Sequence, residues 1–183
     1  MCIRDSSKTR GGVEVEMLSG REFDLTGSND VDSHNRGIIV NISGMGRVDI
    51  PWEEFEKVVF METPATPTVA VREQTISKLS GTVTTLDGKR YSGEMVYDLD
   101  EAYDLEILDG MDKDVAYLLP FRHVKSIKPQ NRNACLISMA NGQKITLRNK
   151  VDVSDDNDGI LIGDLNDDPV YIPWSEVEEV VIN

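Results

Sequence analysis

Hydrophobic and polar residues alternate with a period of two in short runs along this chain, as they do in half-buried β-strands. The first two runs, Val13–Leu18 and Arg21–Leu25, are separated by the tight-turn pair Ser19-Gly20, a pattern that predicts a β-hairpin. A tight helical turn is predicted at Trp52–Phe55, after Pro51 ends the preceding strand. Three more strands complete a small five-stranded unit, predicted at Gly37–Ile42, Arg47–Ile50 and Lys57–Phe60.

This pattern returns 122 residues later with no insertion or deletion, so the chain contains an internal repeat. A more distant copy lies between, in which Gly88 matches Gly20, Asp98 matches Asp30 and the segment Pro120–Ile127 follows the pattern of Pro51–Val58. The close copies are called type B and the distant copy type A. The predicted division is a tail at 1–11, repeat 1 (type B) at 12–61, a Pro/Thr linker at 62–77, repeat 2 (type A) at 78–130 and repeat 3 (type B) at 131–183.

Five short strands with a helical turn before the last are typical of SH3-like and Sm-like small barrels. The stretch Leu86–Gly93, followed by Asp98, resembles the first Sm motif. That resemblance implies a barrel fold for repeat 2 and, by repetition, for its neighbours. It does not imply RNA binding, because Tyr103 and Leu119-Pro120-Phe121 replace the RNA-contacting residues of that family. We therefore expect an all-β chain of three tandem five-stranded barrels.

The charge of the chain limits its partners. Asp and Glu number 33 against 19 Lys and Arg, a net charge of −14. A nucleic-acid backbone would be repelled, whereas a cationic protein, a cationic surface or a divalent cation is compatible with this charge. No run approaches the roughly 18 apolar residues of a membrane span, and no motif for a cofactor is present. We expect a protein partner, no nucleic acid and no cofactor.

The segment Asp-Val-x-x-x-Asn-x-Gly-Ile occurs twice, at Asp30–Ile38 and Asp152–Ile160. Asp and Asn side chains can bond their own backbone and Gly supplies positive φ, so a structural loop before the third strand is expected. The alternative is calcium, which takes six to eight oxygen ligands from such loops. The candidate ligands are Asp152, Asp155, Asp156, Asn157 and Asp158 in repeat 3, and Asp30, Asp32 and Asn35 in repeat 1.

Two kinds of residue are predicted to be structural. Gly37 and Gly159 are expected at positive φ or in close packing. Trp52, Trp174 and their counterpart Phe121 follow proline in a tight turn, and we expect them in the core rather than as stacking platforms. Catalytic motifs are absent from the sequence, so enzymatic activity has no support from it.

The first six residues, MCIRDS, resemble translated adapter sequence at the ends of metagenomic reading frames. An export signal is therefore not excluded, and the compartment is not predicted. The order B-A-B, with the short connection between repeats 2 and 3, predicts that the intact protein has the order A-B-A-B. Repeat 1 of the present chain is then expected to lack its type A partner. The expected function is that of a non-enzymatic interaction or structural module, with calcium binding as the alternative.

Overall fold

The computed structural model describes residues 3–9, 11–28, 30–33, 35–61, 75–165 and 167–183. The predicted all-β class is confirmed. The described residues form sixteen strands and three short 3-10 turns, the turns lying at Phe121–His123, Val151–Val153 and Trp174–Glu176. The strands are β1 (Ile3–Thr9), β2 (Gly12–Met17), β3 (Glu22–Thr26), β4 (Ile38–Ile42), β5 (Gly46–Ile50), β6 (Lys57–Val59), β7 (Ser80–Thr85), β8 (Arg90–Tyr97), β9 (Ile107–Asp112), β10 (Val115–Pro120), β11 (Val124–Asn131), β12 (Ala134–Met139), β13 (Lys144–Arg148), β14 (Ile160–Gly163), β15 (Val170–Ile172) and β16 (Val177–Ile182).

The chain forms two compact units, the first made of 1–38 and 50–74 and the second of 39–49 and 75–183. A four-stranded antiparallel sheet of order β3-β2-β1-β6 builds the first unit. Its core follows the predicted alternation, since the apolar residues of β2 face the stacked rings of Trp52 and Phe55, whose centroids lie 5.2 Å apart. The buried core residues are Val13, Val15, Met17, Trp52 and Phe55.

Strand β1 occupies the segment predicted as a tail. It pairs antiparallel with β2 on one side and with β6 on the other. Pairing on both sides satisfies the backbone N–H and C=O groups of the segment, which is why it is a strand rather than a loose terminus. The predicted linker at 62–77, with Pro64 and Pro67, falls outside the described residues up to residue 74.

A twelve-stranded sheet builds the second unit, and in it repeats 2 and 3 exchange hairpins. The order is β15-β14-β8-β7-β16-β11-β12-β13-β9-β10-β5-β4. The β14–β15 hairpin of repeat 3 pairs with β8 of repeat 2, whereas the β9–β10 hairpin of repeat 2 meets β13 of repeat 3. The first five strands of this order and the next five therefore each take two strands from one repeat and three from the other, and the last two, β5 and β4, come from repeat 1, with β5 paired to β10. This arrangement differs from self-contained tandem barrels.

The helical turn predicted before the last strand of each repeat is present. The 3-10 turns Phe121–His123 and Trp174–Glu176 lead into β11 and β16. In repeat 1 the backbone N–H of Glu54 closes the turn on the carbonyl oxygen of Pro51 at 3.0 Å. In the part of the chain that the structure describes, no helix is long and apolar enough to cross a membrane.

Candidate functional site

Asp98 and Asp152 occupy the same position in repeats 2 and 3, and each carboxylate binds the other repeat. Asp152 Oδ2 accepts a hydrogen bond from the backbone N–H of Asp109, in β9, at 2.6 Å. Asp98 Oδ1 accepts the backbone N–H of Asp158, just before β14. Both aspartates are buried. Asp152 of repeat 3 thus binds the β9–β10 hairpin of repeat 2. Asp98 of repeat 2 binds the residue that leads into the β14–β15 hairpin of repeat 3.

The turn after β8 gathers three acidic side chains. Asp98 and Leu99 both have positive φ, 49° and 62°, a left-handed conformation that Asp tolerates better than most residues. The turn closes through the backbone N–H of Glu101, which donates to the carbonyl oxygen of Tyr97 at 3.0 Å. As a result, one carboxylate oxygen from each of Asp98, Asp100 and Glu101 lies within 4.8 Å of the other two. We call these three residues the acidic cluster.

Burial raises the pKa values of the carboxyl groups around this turn. It raises the pKa of Asp98 to about 6, against the lowering effect of the hydrogen bond from Asp158. Burial is also the main reason that the pKa of Asp152 rises to about 7. The pKa of Glu101 rises to about 9 through burial, then through a hydrogen bond to Asp100, then through the charge of Asp152. Glu101 therefore carries a proton at neutral pH.

The acidic cluster can hold either that proton or a cation. One carboxyl oxygen of Glu101, Oε2, is buried and has no hydrogen-bond partner. Carboxylate oxygens are the ligands that calcium prefers, and a bound cation favours ionised carboxylates. Among the described residues, this cluster is the one group of acidic, His or Cys side chains close enough together to hold a metal ion.

The repeated Asp/Asn loops use their amides for backbone contacts. Asn35 Oδ1 accepts the N–H of Gly37 at 2.7 Å, and Asn157 Oδ1 accepts the N–H of Gly159 at 2.9 Å. In repeat 3 the structure buries Asp152 but leaves Asp155, Asp156 and Asp158 exposed. In repeat 1 it exposes Asp30 and half-buries Asp32. The candidate calcium ligands are therefore dispersed, and Asn35 and Asn157 turn their oxygens to the backbone.

Sequence reasoning missed the acidic cluster. Its signal is the tetrapeptide Asp98-Leu99-Asp100-Glu101, with three acids in four residues. Acidic residues are so frequent in this chain that a short run of them does not by itself indicate a site. The carboxylates converge because two consecutive residues, Asp98 and Leu99, have left-handed backbone conformations. The sequence pair Asp-Leu does not predict this conformation.

The aromatic residues after the repeated prolines lie in the core. Phe121 and Trp174 both pack against Tyr97, with ring centroids 5.3 and 5.6 Å away. Tyr97 and Phe121 are fully buried, and Trp174 and Trp52 are nearly so. These rings stabilise the packing of the repeats, and most of the surface of each ring is covered by the core.

Repeat 1 exposes two strand edges that repeat 3 has covered. In the first unit β3 and β6 are the outer strands of the described sheet. Their counterparts β13 and β16 contact β9 and β7 of repeat 2. Leu25 of β3 is 42% exposed, whereas its counterpart Leu147 is 0% exposed. Other large apolar residues exposed on or beside these two edges are Phe23, Val59 and Phe60. We call Phe23, Leu25, Val59 and Phe60 the open edges.

Surface cavities of the second unit include two that are lined by described residues. The larger, of about 390 Å³, lies beside Trp174 and Lys128, and the smaller, of about 250 Å³, lies beside Asn133 and Lys150. Neither is lined by a His or Cys among the described residues, and neither contains a residue of the acidic cluster. Cys135 is buried, and burial raises the pKa of its thiol to about 12, so it is not a reactive thiolate.

Comparison with known proteins identifies no relative. No protein-family model matches the chain, and neither the curated proteins nor the solved structures contain a significant match.

Proposed function

We propose that this protein is a non-enzymatic interaction or structural module, an acidic chain of small β-repeats that binds a protein partner. The observation that carries the proposal is the pair Leu25 and Leu147, which occupy the same position in the two type B repeats. Leu147 is wholly buried where another repeat covers it, and Leu25 is 42% exposed. The same apolar surface is covered by another repeat in repeat 3 and exposed in repeat 1. We therefore propose it as a binding surface of repeat 1.

Three physical arguments support a protein as the partner. A second polypeptide can pair with an outer strand of a sheet as an added strand. The exposed apolar side chains of the open edges would contribute about 25 cal/mol for each Å² removed from water. The net charge of −14 favours a partner, or a part of its surface, that is cationic.

The environment of the titratable groups supports a non-enzymatic role. The carboxyl groups with strongly raised pKa values, on Asp98, Glu101 and Asp152, lie where repeats 2 and 3 meet, and none of them lines the cavity beside Trp174 or the cavity beside Asn133. Asp98 and Asp152 each accept a backbone hydrogen bond from the other repeat. Groups engaged in this way stabilise the fold and are poorly placed to meet a substrate.

Site-specific photo-crosslinking tests the proposal. A photoreactive residue at position 23, on β3, should crosslink to a defined partner in an extract of the source cells or community. Position 18 is the matched control, because Leu18 is also exposed and its counterpart Ala140 is exposed in repeat 3. A partner captured from position 23 and absent from position 18 supports the proposal. Equal labelling from both positions, or none from either, contradicts it.

Cation binding is the second candidate function, and the acidic cluster is the observation that favours it. Calcium would have to displace the proton of Glu101 and collect its ligands from Asp98, Asp100 and Glu101. A calorimetric titration of the whole protein with calcium at pH 8 tests this, with Glu101→Gln as the variant and Asp156→Asn as the control in the exposed loop. Heat that Glu101→Gln abolishes and Asp156→Asn preserves would support the cluster. No heat, or loss in Asp156→Asn instead, would exclude it.

A further inference from the structure

We propose that the open edges of repeat 1 are the seat of a type A repeat, a β-unit of the kind formed by residues 78–130, joined to the chain through β1. This inference rests on the proposed function, because it concerns the same open edges, and it fills them with a repeat joined to this chain instead of a separate protein. The chain itself contains the completed arrangement, since repeat 3 is a type B repeat with a type A repeat seated on it.

The pairing of β1 provides the first argument. Strand β1 pairs with β2 and β6 in the first unit. In the second unit β11 makes the corresponding pairs, with β12 and β16. Because β11 is the last strand of type A repeat 2, β1 occupies the place of the last strand of a type A repeat. A strand in the place of the occupant's last strand is therefore present in the first unit, where its first four residues, Ile3–Ser6, belong to the adapter-like stretch.

The outer strands provide the second argument. Beyond β11, repeat 2 contributes β7 against β16 and β9 against β13. The counterparts of β16 and β13 are β6 and β3, and these are the two outer strands of the described four-stranded sheet. Among the described residues, the strands at both of these positions in the first unit are outer strands, with no type A strand paired to them.

The side chains provide the third argument, and they indicate the shape of the occupant. Leu147 is buried under Gly110 of β9, where even a Cβ atom would come within 2.6 Å of the leucine Cβ. A type A repeat has no side chain at this point and so leaves room for the leucine. Leu25 occupies the same position in repeat 1 as Leu147 in repeat 3. The occupant must therefore have a glycine at the position of Gly110, so that Leu25 has room to be buried.

Hydrogen exchange on the protein as it stands, and on an extended chain, tests the inference. The extended chain has a copy of residues 78–123 joined in front of Ile3, which takes the place of Val124, so that β1 continues the added repeat. In the existing chain we expect the amides of β3 and β6 to exchange faster than those of β13 and β16. In the extended chain we expect them to slow by at least about tenfold, toward the rates of their counterparts.

Two substitutions in the extended chain show whether the seat is specific. Leu25→Asp should abolish the slowing, because it places a charge against the space beside the added glycine, whereas Leu18→Asp should preserve it. The inference is overturned if β3 and β6 exchange as fast as in the unextended chain, whether or not the added copy is itself protected. It is also overturned if Leu18→Asp acts as strongly as Leu25→Asp.

Crosslinking separates this inference from the proposed function. In the extended chain, a photoreactive residue at position 23 should label the added repeat and lose its outside partner. If position 23 keeps a specific outside partner while the added repeat gives no protection, the interaction function stands and the type A occupant is rejected. If position 23 has no specific partner in either chain and the protection is absent, both are rejected.

Discussion

The phenol hydroxyl of Tyr97 donates a hydrogen bond to the backbone carbonyl oxygen of Asp152 at 2.5 Å. Tyr97 ends β8 in repeat 2, and Asp152 lies in the 3-10 turn that follows β13 in repeat 3. The tyrosine is fully buried, and its burial raises the pKa of the phenol well above the ordinary value. The bond therefore joins the two repeats in a region where water cannot replace either partner.

Removing this hydroxyl should destabilise the second unit. Tyr97→Phe leaves the carbonyl oxygen of Asp152 without this buried donor, and we expect a loss of about 1–3 kcal/mol of unfolding free energy. Tyr171→Phe is the control, because the Tyr171 hydroxyl also donates to a backbone carbonyl oxygen, that of Asp158 at 2.9 Å, but is exposed. Urea denaturation of both variants measures the difference. Equal losses would contradict a buried cross-repeat bond.

The two repeated leucines should respond differently to the same substitution. Leu147→Ala removes a wholly buried side chain and should cost about 2–5 kcal/mol. Leu25→Ala alters a side chain that is 42% exposed and should cost much less, within about 1 kcal/mol. Denaturant titrations of the two variants provide the comparison. Similar costs would mean that Leu25 is already covered in solution.

The sequence predicted the elements better than their pairing. Alternation of apolar residues identifies β2 and its core partners because a strand with one buried face imposes a period of two. Alternation indicates which face of a strand is buried. It does not indicate which other strand pairs with it. The hairpin exchange between repeats 2 and 3 was therefore missed, as was β1. The acidic cluster was missed because its geometry comes from the left-handed Asp98 and Leu99 rather than from residue spacing.

Gly37 and Gly159 should not tolerate alanine. They have φ values of 109° and 100°, and an added Cβ would lie 2.2 Å from the carbonyl oxygen of Ile50 and 2.7 Å from that of Ile172. Gly142→Ala is the control, since Gly142 also has positive φ but has open space around it. We expect about 1–2 kcal/mol for the control from backbone strain alone, and clearly larger losses for the other two. Thermal unfolding measures all three, and equal losses would argue against close contact.

The raised pKa of Glu101 predicts that the protein loses stability as the pH rises. The pKa is about 9 in the folded protein, against an ordinary value of 4.5, so the folded state keeps a proton that the unfolded chain releases. The stabilisation is complete below about pH 4.5 and is lost progressively as the pH rises toward about 9. Asp98 and Asp152, with pKa values raised to about 6 and about 7, act in the same direction over narrower ranges.

Glu101→Gln isolates this effect. Glutamine remains neutral and can still donate a hydrogen bond to Asp100, so we expect little change in the unfolding free energy at pH 5 and a gain over the unaltered protein at pH 8–9. Urea denaturation at a series of pH values measures the slope. Glu54→Gln, at an exposed glutamate of repeat 1, is the control and should leave the slope unchanged. The side chain of Lys89 lowers the pKa of Asp87 to about 2, so the contribution of Asp87 to the unfolding free energy is lost only under more acidic conditions than these. If Glu101→Gln and Glu54→Gln show the same dependence on pH as the unaltered protein, Glu101 is ionised in the folded state, and its charge must then be balanced by something other than a proton.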